Sequence, residues 1–454
     1  MPEDSFAALL TLWQVFQPYV TRPTFARMLI VACGWVLTTA SKRAVTEALV
    51  ATGTAGTHHH EAFHRVFSRG TWDPDHLGLA LLWRLHKAGF PVRLLLDDTL
   101  CSKKGEAVHG ICSHLDPVRS TKSVRVFTFG HCWVVLCIVV DVPFSRRPWA
   151  LPLLFRLYRG KKDCLKKGVE YRKKTELARE MVDIVASYYP NERIELAADS
   201  AYCNSTLLDG LAGNVVLLGA MRPDAVLTNA PVPGERSRKG GRPAVRGSKL
   251  PKPQDLARDD NEPWKKCRAN LYQRKRTVSY KTLRAQWYRG AGTRMLRIVI
   301  VKCWEGKLPW RVFFCTDPNV SVPALLEGYA RRWSIEVLFR DLKQSFGFGD
   351  SCAWSKNAVL RMAPFVGLLY TTLVIWFIEG AHLSDLATPP TRPWYAHKRG
   401  LCFNDVLRAA RSTITLACGG RVSVPFFDFD KLRHPMPQPR SRPRTRDHTQ
   451  RTAA

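Results

Sequence analysis

The chain has no CxxC pair, although it carries 13 cysteines. Zinc modules built on paired cysteines are therefore not expected. An odd number of cysteines, scattered without a repeated spacing, would leave one thiol over in a disulfide framework, so a reducing cytoplasm is the natural setting. There is no internal repeat. There is also no apolar run of the ~20 residues that a bilayer core needs. The longest candidate, APFVGLLYTTLVIWFI over 363–378, contains Pro364 and two threonines and reads as a buried core helix; no membrane partner is expected. The start, MPEDSF, is acidic rather than basic, which is not the pattern of a signal peptide. Three adjacent histidines, His58 to His60, point different ways on any regular backbone, and no metal site is expected there.

Acid is scarce. Against 69 Lys and Arg there are 38 Asp and Glu, a formal net charge of +31. So basic a chain suggests a polyanionic partner, because each phosphate it neutralises releases condensed counterions. A simple basic tail protein would not carry 14 tryptophans and a 46% hydrophobic composition, which together supply a sizeable core.

What is present falls into blocks. Residues 1–90 read as a helical N-terminal domain. Asp73-Pro74 opens one helix with proline at its first position and Gly89 closes it, while SKRAVTEALV forms another that ends at Gly53. Two short helices with Lys42 and Arg43 at the start of the second are either a DNA-reading pair or part of a plain bundle. From Pro91 the texture changes to apolar strands alternating with helices: VRLLLDDT, HCWVVLCIVVDV (131–142), a helix over 175–189, IELAADSAY (194–202) and VVLLGA (215–220). Two of these strands run into carboxylates, as in α/β layers whose chemistry sits at strand ends. A basic stretch, 156–174, lies between them. Residues 221–320 form a β-rich insertion with a Gly/Arg/Lys loop, GERSRKGGRPAVRGSK (234–249), and strand-like pieces at 295–304 and 310–317. Helix returns over 321–380. The region 381–454 ends in a Pro/Arg-rich tail that cannot form a core.

YARRWSIEVLFRDLK (329–343) sets a lone glutamate among cations. On one helix at 100° per residue, Tyr329, Arg332, Glu336, Arg340 and Lys343 share an arc of about 80°. Ile335, Leu338 and Leu342 fall opposite. An i,i+4 Glu336–Arg340 pair on a solvated face would account for the charges. Two further acids, Asp97 and Asp199, end apolar strands. Three carboxylates that one fold can bring together, in so basic a chain, suggest a divalent-metal site for phosphodiester chemistry, since Mg²⁺ prefers oxygen ligands.

Tyr329-x2-Arg332-x3-Glu336-x6-Lys343 resembles the Y-R-E-K signature of DDE transposases from bacterial insertion sequences. LLLDDT is similar to the family's first block, which assigns the first acid to Asp97 with Thr99 as companion. LAADSAY is similar to the second block, with Asp199 as the second acid. The resemblance covers roughly 90–345. It implies an α/β fold: an RNase H-like catalytic core with a β-rich insertion, the core's first part over 91–220 and its second over 321–380. It implies Mg²⁺-dependent cleavage at inverted repeats, with Mn²⁺ as a substitute in a two-metal site, followed by attack of the freed 3′-OH on target DNA. Asp97, Asp199 and Glu336 would be the catalytic metal ligands; Tyr329, Arg332, Lys343 and Arg340 would hold DNA phosphates. The partner implied is double-stranded DNA, at element ends and target, with a dimer in the synaptic complex and the protein on the bacterial nucleoid. Relatives that pass through a DNA hairpin use a tryptophan of the insertion for base flipping; Trp310 is similarly placed, and is otherwise a core tryptophan.

Two alternatives stay open. Asp98 directly follows Asp97, and only one of two neighbouring strand residues can face the site. A DNA-binding relic that kept the fold and lost catalysis is the competing function. His109 and His114 read as structural.

Overall fold

The computed structural model describes residues 2–116, 118–232, 243–302, 310–391, 393–395 and 400–418. The basic tail and most of the Gly/Arg/Lys loop anticipated above lie outside these residues.

Among these described residues ten strands are hydrogen-bonded into one mixed sheet: β1 (Arg93–Ser102), β2 (Cys112–Leu115), β3 (Phe127–Val140), β4 (Trp149–Tyr158), β5 (Ile194–Ala198), β6 (Val215–Met221), β7 (Lys265–Leu271), β8 (Arg274–Gln286), β9 (Met295–Lys302) and β10 (Trp310–Cys315). Its central part runs β4-β3-β1-β5-β6. β3 is antiparallel to β1 and β4, while β5 and β6 are parallel to β1. This order and these directions are those of the RNase H-like core. The helix Lys174–Tyr188 makes the crossover into β5 that a parallel neighbour requires.

β1 does not stop at its carboxylates. It continues in register with β3 through Thr99↔Trp133 to Ser102↔Gly130, because buried Thr99 and Cys101 keep the inward alternation going beyond Asp97. β4, which the sequence pattern concealed, contains Pro152. A register shift opposite it, between Leu136 and Cys137, absorbs the residue that cannot donate to the ladder. The insertion joins the same sheet: β10 lies antiparallel on β6, and β9, β8 and β7 follow outward. At the far edge the Asn270 N–H donates to Glu327 at 2.7 Å, tying the β7–β8 hairpin to the helix Val322–Ala330.

Helices cover the sheet. Pro74–Lys87 is capped by Asp73, whose side chain accepts from the Asp75 N–H, and it lies directly on β4. A Cβ on its Gly78 would sit 2.0 Å from the Leu153 carbonyl oxygen, so only glycine permits the contact. The helix Lys356–Ile378 is longer than the apolar stretch alone suggested and reaches the length and composition of a membrane span, with 83% of its most apolar window buried inside the protein. Phe155 packs where a Gly367 side chain would be, and the Thr371 hydroxyl donates to the Pro152 carbonyl.

The helix Arg22–Leu37 is buried along most of its length. The helix that follows it spans only Val45–Ala51. Lys42 is exposed, but Arg43 turns inward: its backbone N–H bonds Asp350 at 3.0 Å, and its guanidinium donates to the carbonyls of Trp35 and Ser345. Burial lowers the Arg43 pKa to about 10, with nearby Arg411 acting in the same direction. This arginine is a tie between chain segments.

Candidate active site

The expected single helix over 329–343 is two. Val322–Ala330 ends with its last carbonyls taken in a tight turn, Arg331 N–H to Glu327 and Arg332 N–H to Tyr329, and Trp333–Gln344 follows. Tyr329 therefore belongs to the preceding helix. The turn nevertheless delivers it to the same place: the Arg332 guanidinium lies 5.9 Å from the centre of the Tyr329 ring.

Asp97 comes from β1 and faces the Trp333–Gln344 helix. Arg332 spans the gap, with Nη1 3.3 Å from Asp97 Oδ2 and Nη2 2.7 Å from Glu336 Oε1. The i,i+4 pair on this helix is thus Arg332–Glu336. Arg340 instead turns to Asp341, 3.2 Å away, and is exposed. Asp199 follows β5 at the level of Asp97, since Leu96 pairs with Ala198. Its Oδ1 accepts from the Ser200 N–H. Burial pushes the Asp97 carboxyl up to about 6; the charges of Asp98 and Asp199 act in the same direction, and Arg332 opposes them. Burial likewise raises the Tyr329 phenol to about 12, with Asp199 contributing, so Tyr329 feels the same acid. Lys343 is exposed two turns below Glu336, where its charge reaches Cys101 on the Asp97 face of β1. Trp310 opens β10 at the same end of the sheet, but β10 is three strands from β1, roughly 14 Å. It is partly buried and packs against the core.

Asp98 points to the other face of the sheet. There Lys174 Nζ lies 2.6 Å from its Oδ2, the Tyr202 hydroxyl donates to Oδ1 at 2.7 Å, and the Cys132 thiol is 3.3 Å away. Tyr202 sits in the Asp199 loop, with its N–H bonded to the Asp199 carbonyl. Asp98 thus braces the loop that carries Asp199 from behind. Lys174 was visible only as one cation of the basic stretch, and nothing in its spacing marked it. His109 and His114 also serve structure: the His109 N–H bonds the Trp354 carbonyl, and His114 is buried 3.1 Å from Cys112.

Asp97, Asp199 and Glu336 offer hard oxygen donors of the kind Mg²⁺ takes. Burial is the main cause of the raised Asp97 pKa, with the charges of Asp98 and Asp199 adding to it, and a nearby cation would favour the charged carboxylate. In the present arrangement Arg332 supplies that positive charge, and among the described residues no three acids, histidines or cysteines converge closely enough to share an ion. In its chemistry, all carboxylate oxygens, the donor set suits a divalent ion.

A family described as DDE superfamily endonuclease matches residues 15–293, more than half of the chain, including Asp97 and Asp199 and stopping before Glu336. The chain belongs to the DDE endonuclease superfamily. Among solved structures, the cryo-EM synaptic complex of piggyBac transposase with hairpin DNA is similar over 90% of this chain and 74% of that one, at 10% identity and a TM-score of 0.40. The strand order and the family match define the RNase H-like fold. No curated protein matches.

Proposed function

We propose that the protein is a cut-and-paste DNA transposase of the Y-R-E-K group of bacterial insertion sequences, acting on nucleoid DNA in the cytoplasm. It would cleave at the inverted repeats of its element and join the freed ends to target DNA. The observation that supports this reading is the meeting of β1 and the Trp333–Gln344 helix, where one arginine joins Asp97 and Glu336, with Asp199 ending the neighbouring strand at the level of Asp97.

Asp97, Asp199 and Glu336 would hold Mg²⁺, which when bound supplies Lewis-acid activation of the scissile phosphate and of the attacking oxygen. The rest is done by the chain's own groups. Arg332, flanked by the Tyr329 ring, has a planar fork suited to a phosphate, so an incoming DNA backbone competes with the two carboxylates for it. Lys343 and Arg340, exposed further along the same helix, extend the cationic track. Trp310 stands at the same sheet end, where a displaced base would meet it.

The test pairs Glu336→Gln with Lys343→Ala on duplex DNA carrying the sequences that flank the coding region. Glu336→Gln is expected to bind the ends and fail to cut them. Lys343→Ala is expected to weaken binding and reduce the slope of log K against log salt by about 0.9, one phosphate's worth. Normal cleavage by Glu336→Gln would refute the acid assignment.

A further inference from the structure

We infer that the β2–β3 ribbon is an arm that grips duplex DNA beside the scissile position. The inference rests on the endonuclease reading of the acid cluster and adds a second, separate contact surface to it.

The ribbon leaves the sheet at its acid end. β1 and β3 run in register as far as Ser102↔Gly130, and β3 continues outward with β2 as its partner, Ser113 opposite Phe129 and Leu115 opposite Phe127. One face of this two-stranded extension is apolar and exposed: Leu115 is 49% exposed, Phe127 61% and Phe129 42%. Val118 and Val124 stand out at the tip. A soluble fold normally turns such side chains inward, and here five of them gather within fifteen residues.

The tip is ordered by its own bonds. Asp116 Oδ1 accepts from the backbone N–H groups of Val118 and Arg119, and its Oδ2 accepts from the Thr128 hydroxyl at 2.9 Å. The Thr121 N–H closes a turn onto the Val124 carbonyl. Held in this shape, Arg119, Lys122 and Arg125 all face solvent. At the root, the Gly160 N–H bonds the Cys112 sulfur, which docks the ribbon against the segment 156–174. That segment has nine cations to two acids, and its Lys161, Lys162 and Lys166 are exposed. Most of the segment's other cations are paired with acids, so Lys161, Lys162 and Lys166, with Arg119, Lys122 and Arg125, set the exposed positive charge beside the apolar face.

Charge selects the occupant. A second copy of this chain would bring another +31 to the same surface, whereas a polyanion is complementary. Distance selects duplex DNA lying along β1 and β3. Phe129 is six residues along β3 from Val135, the partner of Asp97, roughly 20 Å at strand spacing, or about six base pairs. A two-stranded ribbon is also of a size that the major groove admits, where apolar side chains meet thymine methyls.

The experiment uses the full chain and two mixed-sequence duplexes, one of ~40 base pairs and one of ~8, with the triple variant Arg119→Ser, Lys122→Ser, Arg125→Ser. All three positions are exposed, so folding is expected to survive. Affinity for the long duplex should fall at least tenfold, and its salt slope should drop by about 2.7 from three lost phosphate contacts. The short duplex should bind both proteins alike. In parallel, Phe127→Ser with Phe129→Ser should shorten the protected footprint on the long duplex on one side. An unchanged slope and footprint, with wild-type binding intact, would overturn the arm alone. A wild-type protein that binds neither duplex would overturn the arm and the endonuclease reading together. A loss of self-association in the triple variant, with DNA affinity unmoved, would assign the arm to a second copy instead.

Discussion

Arg332 bonds Asp97 and Glu336 at the same time, at 3.3 and 2.7 Å. Two carboxylates from elements nearly 240 residues apart are thereby held by one guanidinium whose side chain is only 18% exposed. A divalent ion and this arginine would compete for the same oxygens. Arg332→Ala is therefore expected to bind Mg²⁺ more tightly than the wild type when no DNA is present. Read as thermal stability, ~10 mM Mg²⁺ should raise the variant's Tm by about 4 °C more than the wild type's. Equal shifts in the two proteins would show that the guanidinium does not hold the site against the ion.

The two neighbouring aspartates should separate cleanly. Asp98→Ala leaves the Lys174 ammonium and the Tyr202 hydroxyl without their acceptor, a loss of about 2 kcal/mol once solvent screening of the half-exposed lysine is allowed for. Asp97→Ala removes a carboxylate that burial already disfavours, and stability should change by less than about 1 kcal/mol while cleavage disappears. Urea unfolding beside a cleavage assay decides the matter, and a reversal of the two phenotypes would exchange their roles.

Acid should destabilise the fold through His131. Burial lowers its pKa to about 4, and its Nε2 bonds the His109 carbonyl at 2.9 Å, so the neutral ring donates there. The unfolded chain binds the proton near pH 6.5 and the folded one only near 4. Stability from this residue is whole above pH 6.5 and is lost as pH falls toward 4, by about 3 kcal/mol in all. His131→Gln keeps a donor without a titration and should unfold with a visibly flatter pH dependence over that window. An unchanged profile would assign the acid sensitivity elsewhere.

Arg43 offers a test far from the acids. Arg43→Ala strands the carbonyls of Trp35 and Ser345 while its backbone N–H keeps Asp350, and should cost about 2 kcal/mol. Because Ser345 caps the Trp333–Gln344 helix, hydrogen exchange should quicken in that helix's last turn. Loss confined to the first fifty residues would contradict the tie.

Much of this architecture was legible because burial leaves a strong trace. LLLDDT and LAAD announce buried strands by unbroken apolar runs, and the opposed faces of 333–344 announce its helix. β4 was hidden by Pro152, and β2, β7 and β8 by exposed polar positions that mimic loops. The Asp98–Lys174–Tyr202 contact was illegible for another reason. It joins three elements over a hundred residues of chain, and no periodicity reports which cations a fold turns toward an acid. The break between Tyr329 and Arg332 was missed because both residues on the turn, Arg331 and Arg332, keep helical dihedral angles.

The tie between Arg43 and Ser345 also bears on how such a protein can be rebuilt. The first fifty residues are not a cassette. They are bolted to the end of the helix that carries Glu336 through Arg43 and through the Trp35 indole on the Phe346 carbonyl. Exchanging the N-terminal helices for those of a relative, in the hope of transferring DNA preference, would leave both bolts without their nuts. Any working chimera must carry 345–350 along with the graft.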